Sequence, residues 1–462
     1  METTLTKNKT ADLTEGSIWK KLLVFFLPIL AGTWFQQLYN AVDAIIVGRY
    51  VGHEALAAVG GSVATLLNLF IGFFVALSAG STVIISHIFG SKKAEDDLGE
   101  ATGTAVAFSI LFGLGISAVC FVMAPYFLKW MKTPADTVKD AVLYFRILSS
   151  AMTIVLVLNT ESAVLRAVGD SRRPFVYMLI SCVLNIGLDW LFVVVFSWGV
   201  AGVAWATVIS QCVNCLLLTV TMLVTRQPYR LSLKKLRING RIFSRMMRIG
   251  LPSGLEASMY NVSNILMQTA VNSLGTVVVA SWSLSGKLDG FYWGLAQAAN
   301  AAVVTFVGQN YGAGRFDRIH KSVRSGLILF MIMTVSMSAA IIGLAPHALK
   351  IFTEEQSVRD TTYTIILYFV PFYFIWTSIE VLSGTLRGCG DTKPVLITGI
   401  GICAFRVLWL LTAFMIWPTL FCVSISYVLS WALTMTAMIV YYKKGRWDKA
   451  KEKLPADDPE AL

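Results

Sequence analysis

Apolar residues along this chain gather into long runs separated by short polar turns. Crossing a membrane takes roughly 20 mostly apolar residues. Twelve runs reach that length: residues 22–47, 55–89, 102–127, 141–165, 175–196, 199–224, 249–274, 291–311, 325–344, 364–386, 395–416 and 420–442. In lipid, backbone N–H and C=O groups must be satisfied within the spanning segment, so each run is expected as an α-helix. The second run is long enough to cross and continue as a helical extension. Residues 275–290 read either as a loop or as an early start of the eighth helix. The expected fold class is all-α and integral to the membrane, with twelve transmembrane helices.

The polar turns repeat. Leu165, Arg166, Gly169, Asp170 and Ser171, followed by Pro174, return as Leu386, Arg387, Gly390, Asp391 and Thr392, followed by Pro394. Pro28 and Asn40 in the first run answer Pro252 and Asn264 in the seventh at the same separation. Phe89 and Gly90 after the second run answer Tyr311 and Gly312 after the eighth. Correspondences in register mark a duplicated six-helix bundle. Six is even, so the two bundles share one orientation, related by a pseudo-twofold axis along the membrane normal. A first lobe is expected over residues 1–225 and a second over 249–442. Between them, 226–248 is a basic linker holding Arg226, Arg230, Lys234, Lys235, Arg237, Arg241, Arg245 and Arg248 and no acid. Residues 443–462 form a tail.

Composition agrees with a membrane protein. The 462 residues are 56% hydrophobic and 14% charged, with mean hydropathy +0.67; soluble domains carry about 25% charged residues. Net charge is +11, but Lys and Arg concentrate on alternate loops. That positive-inside pattern places both termini in the cytoplasm of a plasma (inner) membrane protein and points to anionic lipid contact, not to nucleic acid. The polar leader 1–16 and the long run after Lys21 do not fit a cleavable signal, so the first span is expected to be retained. Six of the seven Cys fall within runs, and Cys212 and Cys215 read as packing residues.

Charge inside a span is functional by default. Asp43 shares a helical face with Gln36, Tyr39 and Asn40, and nothing in the following Ala44, Ile45, Ile46 and Val47 can satisfy it. Without water, its protonated form is favoured. Asp189 lies one turn after Asn185, an oxygen-donor pair suited to a proton or Na⁺. Thr207, Gln211 and Asn214 form a polar stripe on the sixth span, and Asn159 on the fourth is a further candidate. The positions answering Asp43 and Asp189 in the second lobe are near Met267 and Trp409, so the acid pair exists in one lobe alone. In that second lobe, Glu256 extends through Tyr260 to Asn264, and Glu380 lies near Tyr373 and Thr377. Either acid is placed to meet a cationic solute or to pair with Arg406. Glu161 is expected to pair with Arg166. No GxxxxGK[ST] phosphate loop, HExxH or GxSxG elbow in a strand–helix setting occurs, so neither ATP-driven transport nor an enzyme is expected.

On these residues the chain resembles the multidrug and toxic compound extrusion (MATE) transporters over nearly its whole length, the paired LRxxGD[ST]…P turns being the most specific match. The resemblance implies two six-helix bundles forming a V-shaped cavity, and efflux of amphipathic, usually cationic compounds driven by inward H⁺ or Na⁺. Gln36, Tyr39, Asp43, Asn185, Asp189 and Thr207 match the branch of the family that couples through the first lobe; that branch's Asn on the fourth span is answered by Ser162, with Asn159 one turn away. The other branch has a Glu on the seventh span and an Asp on the tenth. Here those positions hold Tyr260 and Trp376 or Thr377, with Glu256 and Glu380 a turn away. Aromatic residues such as Trp34, Phe35, Phe73, Tyr292 and Trp293 are expected to supply substrate contact, with Glu256, Tyr260, Glu380 and Asn264 as a weaker cavity set. No cofactor is expected beyond the coupling ion, and a monomer is the expected state. The rival reading is a lipid-linked precursor flippase of related two-lobe design, which would line its cavity with cations; here Arg406 stands nearly alone among five acids.

Overall fold

The computed structural model describes residues 12–52, 55, 59–92, 95–131, 133, 134 and 137–445. The tail beyond 445, the leader before 12, and His53, Lys93 and Lys132 lie outside the described residues. Helices joined by short turns make up the described chain. In order they are α1 (Ile18–Ile46, continued by a wide turn Val47–Val51), α2 (Ser62–Ser91), α3 (Glu95–Trp130) and α4 (Val138–Ser150 and Met152–Ala167). Next come α5 (Arg172–Asp189, continued to Val195), α6 (Gly199–Val224), α7 (Gly240–Ser273), α8 (Thr276–Gly312) and α9 (Phe316–Phe352). The last three are α10 (Gln356–Phe369 and Tyr373–Gly388), α11 (Lys393–Leu411, with Ala413–Ile416) and α12 (Leu420–Lys443).

Among the described residues nine of these are long and apolar enough to cross a membrane, and α4 makes a tenth although its halves bend by 47°. The remaining two, α7 and α8, run 34 and 37 residues. Their apolar character is diluted by Arg241, Arg245 and Arg248 at the start of α7 and by Lys287 and Asp289 within α8. Residues 276–290 belong to α8, so the eighth helix does start early.

The duplicated turns take the same shape. Gly169 and Gly390 have φ of +87° and +80°. Asp170 N–H donates to Leu165 O and Asp391 N–H to Leu386 O, at 2.9 Å each. These are Schellman closures, in which a left-handed residue past the helix end satisfies its last carbonyls, and glycine takes that conformation without a Cβ penalty. Packing repeats as well. In the first half α1 packs on α5, α2 and α3 on α4, and α5 on α6; in the second α7 packs on α11, α8 and α9 on α10, and α11 on α12.

The halves meet along α2, which lies against α7 and α8. Contact is backbone to backbone. A Cβ added at Gly90 would sit 2.0 Å from Gln309 O, and one at Gly312 2.0 Å from His87 O. Symmetry-matched hydrogen bonds reinforce this seam: His87 Nε2 lies 2.7 Å from Gly388 O, and Gln309 Nε2 donates to Ala167 O at 2.8 Å. Gly312→Ala is therefore expected to lower stability by about 1–3 kcal/mol, the usual effect of overpacking a close contact. Thermal unfolding of the purified protein in detergent checks this.

The segment preceding α1 covers the same end of the seam. Leu13 is fully buried; its N–H donates to Gln309 Oε1 at 3.0 Å and its carbonyl accepts from Asn310 and Arg318. Asp12 pairs with Lys92 of the α2 end at 3.0 Å. Burial lifts the Asp12 carboxyl, but bonds from Thr14 and Lys92 outweigh it and hold it below the usual carboxylate range. His320 Nδ1 lies 3.1 Å from the Tyr442 hydroxyl, so the start of α9 and the end of α12 share this face.

From there α1 crosses between the halves. Phe26 packs on Phe330 of α9 at 4.9 Å between ring centroids. Further along, Thr33, Trp34 and Gln37 donate to Gly294 O, Phe291 O and Gly290 O of α8. Its far end, carrying Asp43, lies with α5 and α6. One helix thus touches both lobes, and Pro28 inside it removes a ladder bond.

Candidate functional site: a carboxyl pair in the first lobe

Helical spacing brings Tyr39 and Asp43 to one face of α1, and Asn185 and Asp189 to one face of α5. The fold sets these faces together. The carboxyl groups of Asp43 and Asp189 face each other between these two helices. The Tyr39 hydroxyl faces Asp43 and lies 3.4 Å from Thr207 Oγ1 of α6. Asn185 and Asp189 are fully buried, Thr207 is buried, and Asp43 is half-buried.

Most of their polar atoms find no hydrogen-bond partner among the described residues. Asp43 Oδ1, both carboxyl oxygens of Asp189 and both polar atoms of Asn185 are buried without a hydrogen-bond partner among the described residues. Buried polar groups are almost always paired, so such a concentration marks a place for something else. Two carboxylates facing each other away from water repel. A shared proton removes the repulsion, as does a small cation between them, and titration then belongs to the pair. Carboxylate, amide and hydroxyl oxygens are the hard ligands that alkali cations take.

Sequence spacing did not reveal Tyr144. This buried phenol of α4 stands in the field of both carboxyls, yet no motif marks it. Two expected members do not join the pair. Gln36 is exposed, two turns back along α1. Asn159 donates to Val155 O of its own helix at 2.8 Å. Glu161 is fully buried, and it accepts a 2.7 Å bond from Thr219 where Arg166 was expected.

The second lobe is arranged differently. Glu256 pairs with Arg387 of the repeated turn, not with Arg406, because Glu256 packs over Gly399 and faces α10. Arg387 also reaches Asn300 Oδ1 at 3.4 Å, and Asn300 holds Glu380 O at 3.0 Å. Tyr260 packs against Trp376 at 5.2 Å and Trp293 at 6.3 Å, and Asn264 accepts from Arg406. Among the aromatics expected to contact substrate, Tyr292 is fully buried and stacked on Tyr373 at 3.8 Å, so it is core. The Trp34 indole is engaged with Phe291 O at 3.0 Å, fastening α1 to α8.

Comparison with known proteins decides the family. The MatE family model matches residues 28–191 and again 252–415. This chain belongs to the MATE family. The two matches are offset by 224 residues, the separation of Pro28 from Pro252. Among its MATE relatives, the probable multidrug resistance protein YpnP of Bacillus subtilis is 27% identical over 449 residues, 96% of this chain and 99% of that protein. The probable multidrug resistance protein YoeA of the same organism is 27% identical over 397 residues, 84% and 85% of the two chains. The multidrug export protein MepA of Staphylococcus aureus is 21% identical over 443 residues, 93% and 94%. A solved structure of an outward-facing multidrug resistance MATE family transporter superposes with TM-score 0.84 at 22% identity, covering 98% of this chain and 100% of that one. The fold is therefore the two-lobed, twelve-helix MATE fold, and this MATE chain is a multi-pass membrane protein.

Proposed function

We propose that this protein is a secondary active multidrug exporter, a carrier and not an enzyme, that moves amphipathic, usually cationic compounds outward in exchange for H⁺ or Na⁺ by alternating access. What supports the coupling role is that Asp43 and Asp189 face each other, a carboxyl pair with no donor among the described residues for most of its oxygens. The relatives' names as multidrug resistance and export proteins support the substrate class.

The mechanism follows from where α1 lies. An arriving proton or Na⁺ neutralises the pair and draws α1 toward α5. The same helix rests on α8 through Thr33, Trp34 and Gln37, so its shift changes which arrangement of lobes is favoured. A ligand moves that equilibrium only by binding one state better than the other. In this reading the seam at Gly90 and Gly312 opens in the state that admits substrate from the cytoplasm, the termini lie on that face of the inner membrane, and the carrier works as a monomer among lipids.

Ethidium export from proteoliposomes, with the proton and sodium gradients collapsed in turn, tests this. Export is expected to stop when one of the two is removed. Export that continues with both collapsed would contradict coupled transport.

A further inference from the structure

The geometry points to an anion site in the second lobe, at Arg406, at the position that mirrors the carboxyl pair of the first. Arg406 on α11 is fully buried. Its Nε donates to Ser430 Oγ at 3.3 Å, and its Nη1 to Ser263 Oγ at 3.3 Å and Asn264 Oδ1 at 3.0 Å. The guanidinium lies 3.9 Å from the ring centroid of Tyr427 and 5.2 Å from that of Tyr260. Every one of these partners is neutral. They spread the charge without cancelling it, and a buried cation lacking a counter-charge is strongly unfavourable.

The acids of this lobe are engaged elsewhere. Glu256 is paired with Arg387. Glu380 lies within range of Tyr260 but is turned to Trp376 and Asn300, and Asp289 faces Tyr373. Meanwhile donors remain unused around the guanidinium. Arg406 Nη2, the Tyr260 hydroxyl and the Trp431 indole N–H are all buried without a hydrogen-bond partner among the described residues, and the Tyr260 oxygen faces the other two. Trp431 adjoins Tyr427 at 6.1 Å and Trp376 at 5.8 Å, so these donors belong to one aromatic cluster. Surplus donors around a positive charge are the inverse of the orphaned acceptors in the first lobe.

The repeat shows that the inversion is positional. At the 224-residue offset relating Pro28 to Pro252, Gln36, Tyr39 and Asn40 fall on Tyr260, Ser263 and Asn264. At the 221-residue offset relating Leu165 to Leu386, Asn185 falls on Arg406. Asp43 and Asp189 fall on Met267 and Leu410. The mirror position has thus lost both acids and gained a guanidinium. Where the first lobe suits a small cation, this one suits a monovalent anion. A guanidinium fork fits a carboxylate, and single N–H and O–H donors fit a halide. The ligand is either a free halide or the carboxylate end of an aromatic solute that would join the Trp376 and Trp293 cluster.

The test is thermal unfolding of the full-length protein in detergent, followed by tryptophan fluorescence. Chloride is compared with gluconate at fixed sodium and ionic strength, and 1-naphthoate with 1-naphthalenemethanol. A saturable rise in unfolding temperature with chloride, absent in Arg406→Met, supports a free halide. A rise with naphthoate alone supports a solute carboxylate. No saturable rise with either anion, or an equal rise in Arg406→Met, overturns the proposal. If Arg406→Met does not fold, Tyr260→Phe decides. It keeps the charge but removes one donor, and should raise the half-saturating concentration roughly five- to tenfold; an unchanged value overturns the assignment.

Discussion

Asp189→Asn should leave the protein folded and reduce gradient-driven ethidium export about 5- to 150-fold, the span of typical coupling free energies. Asparagine matches aspartate in shape but neither takes up a proton nor offers full charge to a cation. The neighbouring Asp43 then has no acid to share with, so the neutralisation that drives α1 is lost. Asp43→Asn should act alike, and the double substitution should add little, because residues working as one unit are strongly non-additive. Stability should move the other way. Two carboxyls facing each other strain the folded state whenever both are ionised, so at alkaline pH either variant should unfold at the same temperature as the parent or higher. Export assays in proteoliposomes and thermal unfolding across pH, run on the same preparations, check both halves.

The largest loss of stability is expected from Arg387→Met, about 3 kcal/mol. Removing one partner of a buried ion pair costs about 3–5 kcal/mol because it strands the other charge. The low end applies because the Arg387 and Glu256 side chains keep 15% and 22% of their exposure. Glu256→Gln should be milder, since Arg387 retains Asn300. Combining the two should recover most of the loss of Arg387→Met, as expected when a stranded carboxylate is the cause. Unfolding of the three variants in detergent measures this, and equal instability of Arg387→Met and the double variant would show that lost packing dominates.

Much of the fold was legible because lipid leaves few choices. Apolar runs gave all twelve helices with displaced ends, and the Gly–Asp turns marked the duplication. Runs 249–274 and 291–311 marked α7 and α8, but not where they begin, because Arg241, Arg245, Arg248, Lys287 and Asp289 interrupt the apolar signal at their starts. At the candidate site, spacing within a helix placed Tyr39 with Asp43 and Asn185 with Asp189. What spacing cannot encode is which helix faces meet, because that depends on helix rotation and on bends such as the 47° break in α4. Hence Glu256 turned out to face Arg387 and not Arg406, Asn159 its own backbone, Glu161 Thr219, and Tyr144 was missed. Arg406 was visible from the start, but its lack of an acid partner was not.

Infrared titration of the lipid-reconstituted protein reads carboxyl protonation directly. Comparing the parent with Asp43→Asn and Asp189→Asn isolates the pair. If Asp43 and Asp189 work as the coupling site, a protonated-carboxyl band should appear as pH falls or vanish as Na⁺ is added, and in each variant, where one acid titrates alone, it should shift in frequency and in the pH at which it appears. A spectrum in which both groups stay ionised at every pH, unaltered by Na⁺ and the same in the variants, would contradict it.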